Sequence, residues 1–119
     1  MSLPFTLHPL TPPVGSRAVP AEFDEAAAIF ARAQAAYERG AYREAAGLFL
    51  STAGALHVEG DYAEACTAGR TVSYWNAILA TLAAGDADGA RQVATSVAQH
   101  DPECTRPVAE LLGRLESER

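Results

Sequence analysis

The sequence predicts an all-α protein of about five helices, built as antiparallel hairpins and preceded by a proline-rich arm. Three observations predict it. Alanine-rich stretches carry apolar residues at helical spacing from Phe23 to Leu115. Gly40, Gly60 and Gly85 stand between those stretches, where a residue able to turn left-handed ends one helix and starts the reversal into the next. Five of the seven prolines, Pro4, Pro9, Pro12, Pro13 and Pro20, fall in residues 1–20. Proline fixes φ and lacks a donor, so that stretch is excluded from helix. The domain organisation follows: an arm over 1–20 and a helical domain over 21–119.

The arm is expected to be extended or of polyproline-II type, or else disordered. Its apolar residues Leu3, Phe5, Leu7, Leu10 and Val14 allow it to pack on its own domain or on a partner. The first helix is placed at about 21–39, with Glu22, Asp24 and Glu25 complementing the positive end of the helix dipole. Phe23, Ala26, Ala27, Phe30, Ala33 and Tyr37 form its apolar face, and Gly40 ends it. The second helix is placed at about 42–58. Its face is Tyr42, Ala45, Ala46, Phe49, Leu50, Ala53 and Leu56, and Gly60 stops it.

The third helix is placed at about 62–84, with Asp61 and Glu64 spaced like a capping box. Ala65, Cys66, Gly69, Val72, Trp75, Ile78, Leu79 and Leu82 give it a broad apolar stripe, in which Gly69 marks either a close crossing or a kink. Asp86 is positioned to cap a fourth helix, about 87–99, with Ala90, Val93, Ala94 and Val97 inward. Asp101-Pro102 punctuates the chain. Pro107 would lack its donor in mid-helix, so the fifth helix is expected to begin near Thr105 or Arg106. Val108, Leu111, Leu112 and Leu115 face its core side, and Glu110, Arg114, Glu116 and Glu118 face water.

Composition narrows the function classes. The net charge is −6, and a nucleic-acid binder needs a basic face to release counterions from phosphates. All nine basic residues are Arg, and they form no cluster. No apolar run is long enough to span a bilayer, and no charged-then-apolar leader opens the chain. The expectations are therefore no nucleic acid, no membrane and a cytoplasmic location. Cys66 and Cys104 are too few for a disulfide scaffold, and Cys66 reads as a small buried hydrophobe.

His8, His57 and His100 are far apart, and no paired His or Cys spacing suggests a metal. His100 and Cys104 are four apart, but Pro102 separates them. Asp86 with Asp88, and Asp61 with Glu64, read as helix-start residues rather than as acid and base. There is no phosphate loop and no nucleophile elbow. The sequence thus points away from an enzyme and calls for no cofactor.

The stretch Ala36-Tyr37-Glu38-Arg39-Gly40-Ala41-Tyr42-Arg43-Glu44-Ala45-Ala46-Gly47-Leu48-Phe49 resembles the centre of a tetratricopeptide repeat. It has the turn glycine, the aromatic two residues on and the Ala-x-x-x-Phe spacing of the second helix. Gly85 to Pro102 resembles the same half-repeat, with Ala90 at the small position and Pro102 at the terminal proline. Gly40 and Gly85 are 45 residues apart, against about 34 in adjacent repeats, and three extra turns of the third helix absorb the surplus. His57 stands at the first repeat's proline position, and Trp75 lies one residue from the second's tryptophan position.

The resemblance implies that the first helix of each hairpin lines a groove for another protein's peptide or helix. Its residues here are Phe30, Gln34 and Tyr37 from the first repeat, and Val72, Trp75, Leu79 and Leu82 from the second. The carboxylate-clamping Lys and Asn residues of some family members have no counterparts at the mapped positions. The implied function is a small adaptor or chaperone that binds a partner's segment through an apolar groove, with Trp75 and Tyr37 as anchors. The competing reading places these same residues in the core. Two hairpins are fewer than a solenoid ordinarily stacks, so the alternative is a self-associating subunit of a larger assembly, possible as a homo-oligomer. The small size and acidity are also similar to those of type III secretion chaperones.

Overall fold

The structure, a computed structural model, describes residues 5–10, 21–57 and 62–118. Five helices follow the arm: α1 (Ala21–Glu38), α2 (Tyr42–Ala55), α3 (Ala63–Ala83), α4 (Ala87–His100) and α5 (Pro102–Ser117). Each packs on the next, and α3 also touches α1 and α5. The molecule is therefore two three-helix layers sharing α3, in an elongated body of 43 × 30 × 19 Å.

Two of the three glycine turns are closed the same way. Gly40 and Gly85 have φ of +83° and +82°, a conformation glycine adopts without the steric cost other residues incur. The Ala41 N–H donates to the Ala36 carbonyl at 2.9 Å, and the Asp86 N–H to the Thr81 carbonyl at 3.1 Å. These six-to-one bonds satisfy orphan carbonyls at the helix ends. Gly60, and with it Asp61 of the expected capping box, lies outside the described residues. Asp86 caps α4 as its position predicted, accepting from the Gly89 N–H at 2.8 Å.

Gly69 is a close crossing and not a kink, since α3 runs through it unbroken. A Cβ there would lie 2.8 Å from Leu56 Cδ1 and 3.3 Å from Leu10 Cδ1. The first layer is cored by Phe30, Tyr37, Phe49 and small alanines of α1, α2 and α3. Phe30 meets Phe49 edge-on with centroids 5.2 Å apart, the geometry that the ring quadrupoles favour. The second layer is cored by Ile78, Ala90, Val97, Cys104 and Val108. A third cluster, Phe23, Ala26, Leu56 and Cys66, closes the end of the first layer.

Three sequence expectations need correction. The fifth helix begins at Pro102 and contains Pro107. Pro102 occupies the first turn, where its missing donor is no loss, and Pro107 forfeits only one early ladder bond. Asp101 ends α4 and begins α5, so no linker separates them. Ala27 points to solvent, because α1 buries a stripe centred on Phe23, Ala26, Phe30, Ala33 and Tyr37. Leu50 is 40% exposed; it falls on the α2 flank nearest α4, and α2 and α4 do not pack together.

Candidate polypeptide-binding groove

α1 and α3 barely meet, and the furrow between them is where the sequence resemblance put a groove. It is occupied by the chain's own residues 5–10. The Tyr37 hydroxyl accepts from the Phe5 N–H and donates to the Phe5 carbonyl, each at 3.0 Å. Asn76 repeats the arrangement three residues on. Its Oδ1 accepts from the His8 N–H at 2.8 Å, and its Nδ2 donates to the His8 carbonyl at 2.9 Å. Each side chain satisfies both main-chain polar groups of one residue, for which an extended segment has no partner of its own.

The arm has three faces that repeat every third residue. Phe5 and His8 meet the two clamps. Leu7 and Leu10 pack on the core. Thr6 and Pro9 point to solvent. A repeat of about three is that of a polyproline-II strand, which has no hydrogen bonds of its own and leaves its main chain free for partners. The arm descends the furrow, from Phe5 at the C-terminal end of α1 to Leu10 beside Phe23 and Ala26 near its start.

The predicted groove residues divide. Tyr37 is fully buried under the arm, and Phe30 and Leu79 are buried in the helical body. Val72 packs on the first core and Leu82 on the second, both half-buried. Gln34 is half-buried on α1. Trp75 bridges: its ring lies 4.8 Å from the His8 ring at a 53° tilt, and its Nε1 donates to the Pro107 carbonyl at 3.1 Å. Beyond it an open cleft of about 360 Å³ separates α3 from α5, lined by Trp75, Pro107, Glu110, Leu111 and Arg114.

Asn76 was missed from the sequence, although it is fully buried. The available signal was an amide inside the apolar stripe of α3, where only a polar partner from elsewhere could satisfy it. Electrostatics in the furrow are mild. Burial lowers the His8 pKa, and the positive charge of Arg114 lowers it further. Burial raises the Tyr37 pKa, against the opposing bond to Phe5. The hydroxyl therefore keeps the proton it donates.

A second polar feature sits on the other side of α3. Arg70 and Asp101 are 7% and 5% exposed. Nε of Arg70 donates to Asp101 Oδ2 at 2.8 Å, and Nη1 to the Leu56 carbonyl at 2.8 Å. The Tyr74 hydroxyl donates to Asp101 at 2.9 Å. Burial pushes the Asp101 carboxyl up, but bonds from Arg70 and Tyr74 outweigh it and hold its pKa below the ordinary value. This cluster ties the end of α2 and the α4–α5 corner to α3. Burial also raises the Cys104 pKa, so its thiol beside Thr71 stays protonated.

No group of three or more His, Cys, Asp and Glu among the described residues could hold a metal ion. No helix among them is long and apolar enough to cross a membrane. No protein-family model matches the chain, and neither curated proteins nor solved structures yield a match to it.

Proposed function

We propose that this chain is a tetratricopeptide-like protein-interaction module that grips an extended segment of a partner protein in the furrow between α1 and α3. The observation that carries the reading is the paired clamp: Tyr37 and Asn76 each bond the N–H and the C=O of a single residue, three positions apart. A grip on main-chain atoms is indifferent to side chains, so a partner's segment of the same conformation fits as the arm does. Apolar side chains at the core-facing positions supply the hydrophobic contribution, about 25 cal/mol per Å² buried. This is the groove mode of peptide recognition with an extended rather than helical guest.

The test is a side-chain amide signal. With the chain ¹⁵N-labelled, the Asn76 NH₂ pair reports the furrow directly. Adding an unlabelled peptide of the arm's sequence to a chain loosened by Leu10→Asp is expected to restore the Asn76 shifts of the wild type. Unchanged shifts at millimolar peptide (order of magnitude for a short tethered segment) would count against the reading.

A second reading, a self-associating subunit, draws on the opposite flank. There Leu50 borders an open cleft of about 250 Å³, with Tyr74, Gln92, Val93, Ser96 and His100 among its lining residues. Light scattering separates the two: association that grows with concentration and disappears in Leu50→Glu supports the subunit.

A further inference from the structure

Leu56 meets the arm with its side chain and the second layer with its main chain. It caps the end of α2 with φ −101° and ψ 43°, so its carbonyl has left the helical ladder and needs a partner from elsewhere. Arg70 Nη1 is that partner, donating at 2.8 Å. The same guanidinium turns another edge to Asp101: Nε donates to Oδ2 at 2.8 Å and Nη2 to Oδ1 at 3.4 Å. A guanidinium is planar and rigid. Its bond to Leu56 therefore fixes the direction from which it meets Asp101, the residue at which α4 ends and α5 begins.

The Leu56 side chain is fully buried. It packs with Phe23, Ala26 and Cys66, and Leu10 of the arm lies against that cluster. Leu10 and Leu56 reach the same bare patch of α3: a Cβ on Gly69 would lie 3.3 Å from the Cδ1 of one and 2.8 Å from that of the other. Gly69 directly precedes Arg70, so the seat of the two leucines and the root of the guanidinium are consecutive residues of one helix. Leu7 packs on the first cluster alone.

We propose that Leu56 couples the docked arm to the α4–α5 corner. Leu10 holds the Leu56 side chain against Gly69, the Leu56 carbonyl holds the guanidinium, and the guanidinium holds Asp101. Nothing in this link requires the arm to leave its furrow; it governs how firmly each end is held. A cavity left at Leu10 lets Leu56 settle toward it, and its carbonyl then draws away from Arg70 Nη1. A buried donor left short of its acceptor is costly, and the fork on Asp101 loosens with it. Linkage makes the effect mutual, so a tighter corner also tightens the seat of Leu10. The coupling does not depend on the furrow taking a partner's segment.

The test uses the full chain under native conditions, with two readouts in the second layer. One is alkylation of Cys104, followed by peptide mass spectrometry. This thiol is fully buried and accepts from the Thr71 hydroxyl at 3.3 Å. The other is solvent exchange of the Arg70 Nε–H, followed by ¹⁵N NMR. Leu10→Ala is expected to speed both by about tenfold, a common size for coupling between sites. Leu7→Ala removes the same atoms from the same arm, and is expected to change each rate by less than about twofold, the scatter of uncoupled sites. Equal acceleration by the two variants means that the arm adds only global stability, and overturns the link. So does a Leu10→Ala chain with both rates unchanged. Should Leu10→Ala fail to fold, the smaller cuts Leu10→Val and Leu7→Val keep the comparison. About threefold faster rates are then expected from the first and unchanged rates from the second, and equal rates overturn the link.

Discussion

The two layers that share α3 are held together by opposite chemistry. The first, α1 to α3, holds the arm through neutral groups alone. The arm is joined to it by hydroxyl and amide groups that meet main-chain atoms of residues 5 and 8. The second, α3 to α5, is joined by a buried charge pair, Arg70 with Asp101. Neutral clamps on main chain can be opened and remade, since both sides regain hydrogen bonds to water. A buried ion pair cannot be opened without stranding a charge, which is costly. The arm is held by contacts that cost less to open than the buried pair that fixes the α3–α5 layer.

The largest effect is expected where the charge is stranded. Arg70→Ala leaves Asp101 buried without its cation, and a loss of about 3–5 kcal/mol is expected in chemical denaturation. Acid should attack the same point. Asp101 has a native pKa below its ordinary 3.8, so its contribution is present above that value and is lost as the pH falls through the lower native one. A wild-type chain that keeps its full stability at pH 2 (on the order of two units below ordinary carboxylate values) would contradict a stabilising role for the pair.

Next comes the clamp. Asn76→Ala leaves the His8 N–H and C=O without their partner. A cost of about 1–3 kcal/mol in arm docking is expected, and Trp75 emission should shift to the red with the helical content unchanged by circular dichroism. If instead the helices melt together with the arm, the two layers are not separable in the way described.

Smaller is the effect of Gly89→Ala in the second layer. The new Cβ would lie 2.3 Å from Asp86 Oδ2 and 2.9 Å from Thr81 Cγ2, so the cap must give way. A loss of about 1 kcal/mol is expected. Gly47→Ala, where a Cβ meets nothing within 4 Å, should gain about 0.5–1 kcal/mol through helix propensity.

The smallest effect is the mild-acid response of the arm. The His8 pKa is lowered from 6.5 by burial and by Arg114. The docked arm therefore favours neutral imidazole. Its contribution is present above 6.5 and is lost as the pH falls through the lower docked value. Trp75 emission titrated with pH should reveal this step below 6.5, and His8→Phe should abolish it. A pH-independent emission across that interval would remove His8 from the docking balance.

The helices were legible because their signals are local. Alanine content, apolar spacing and the glycines at 40 and 85 act over a few residues, and α1, α3 and α4 end within a residue or two of where periodicity puts them. The start of α5 was not legible. Proline's penalty depends on its depth in the helix, and at Pro107 the early ladder tolerates it once Pro102 and Asp101 have set the first turn. Of the residues that meet the arm, Tyr37 and Trp75 were legible as aromatics on the apolar faces of α1 and α3. Asn76 was not, because its role depends on a segment 68 residues away in sequence.

The sequence by itself determined that the chain forms helices, that it reverses at Gly40 and Gly85 and which stripes are apolar, since propensity, capping and periodicity are properties of neighbouring residues. Only the tertiary structure decided that residues 5–10 lie between α1 and α3, and that Arg70 meets Asp101 beneath the surface. Both facts join residues distant in sequence. Their free energy comes from desolvation and hydrogen-bond geometry that exist only once the helices have packed.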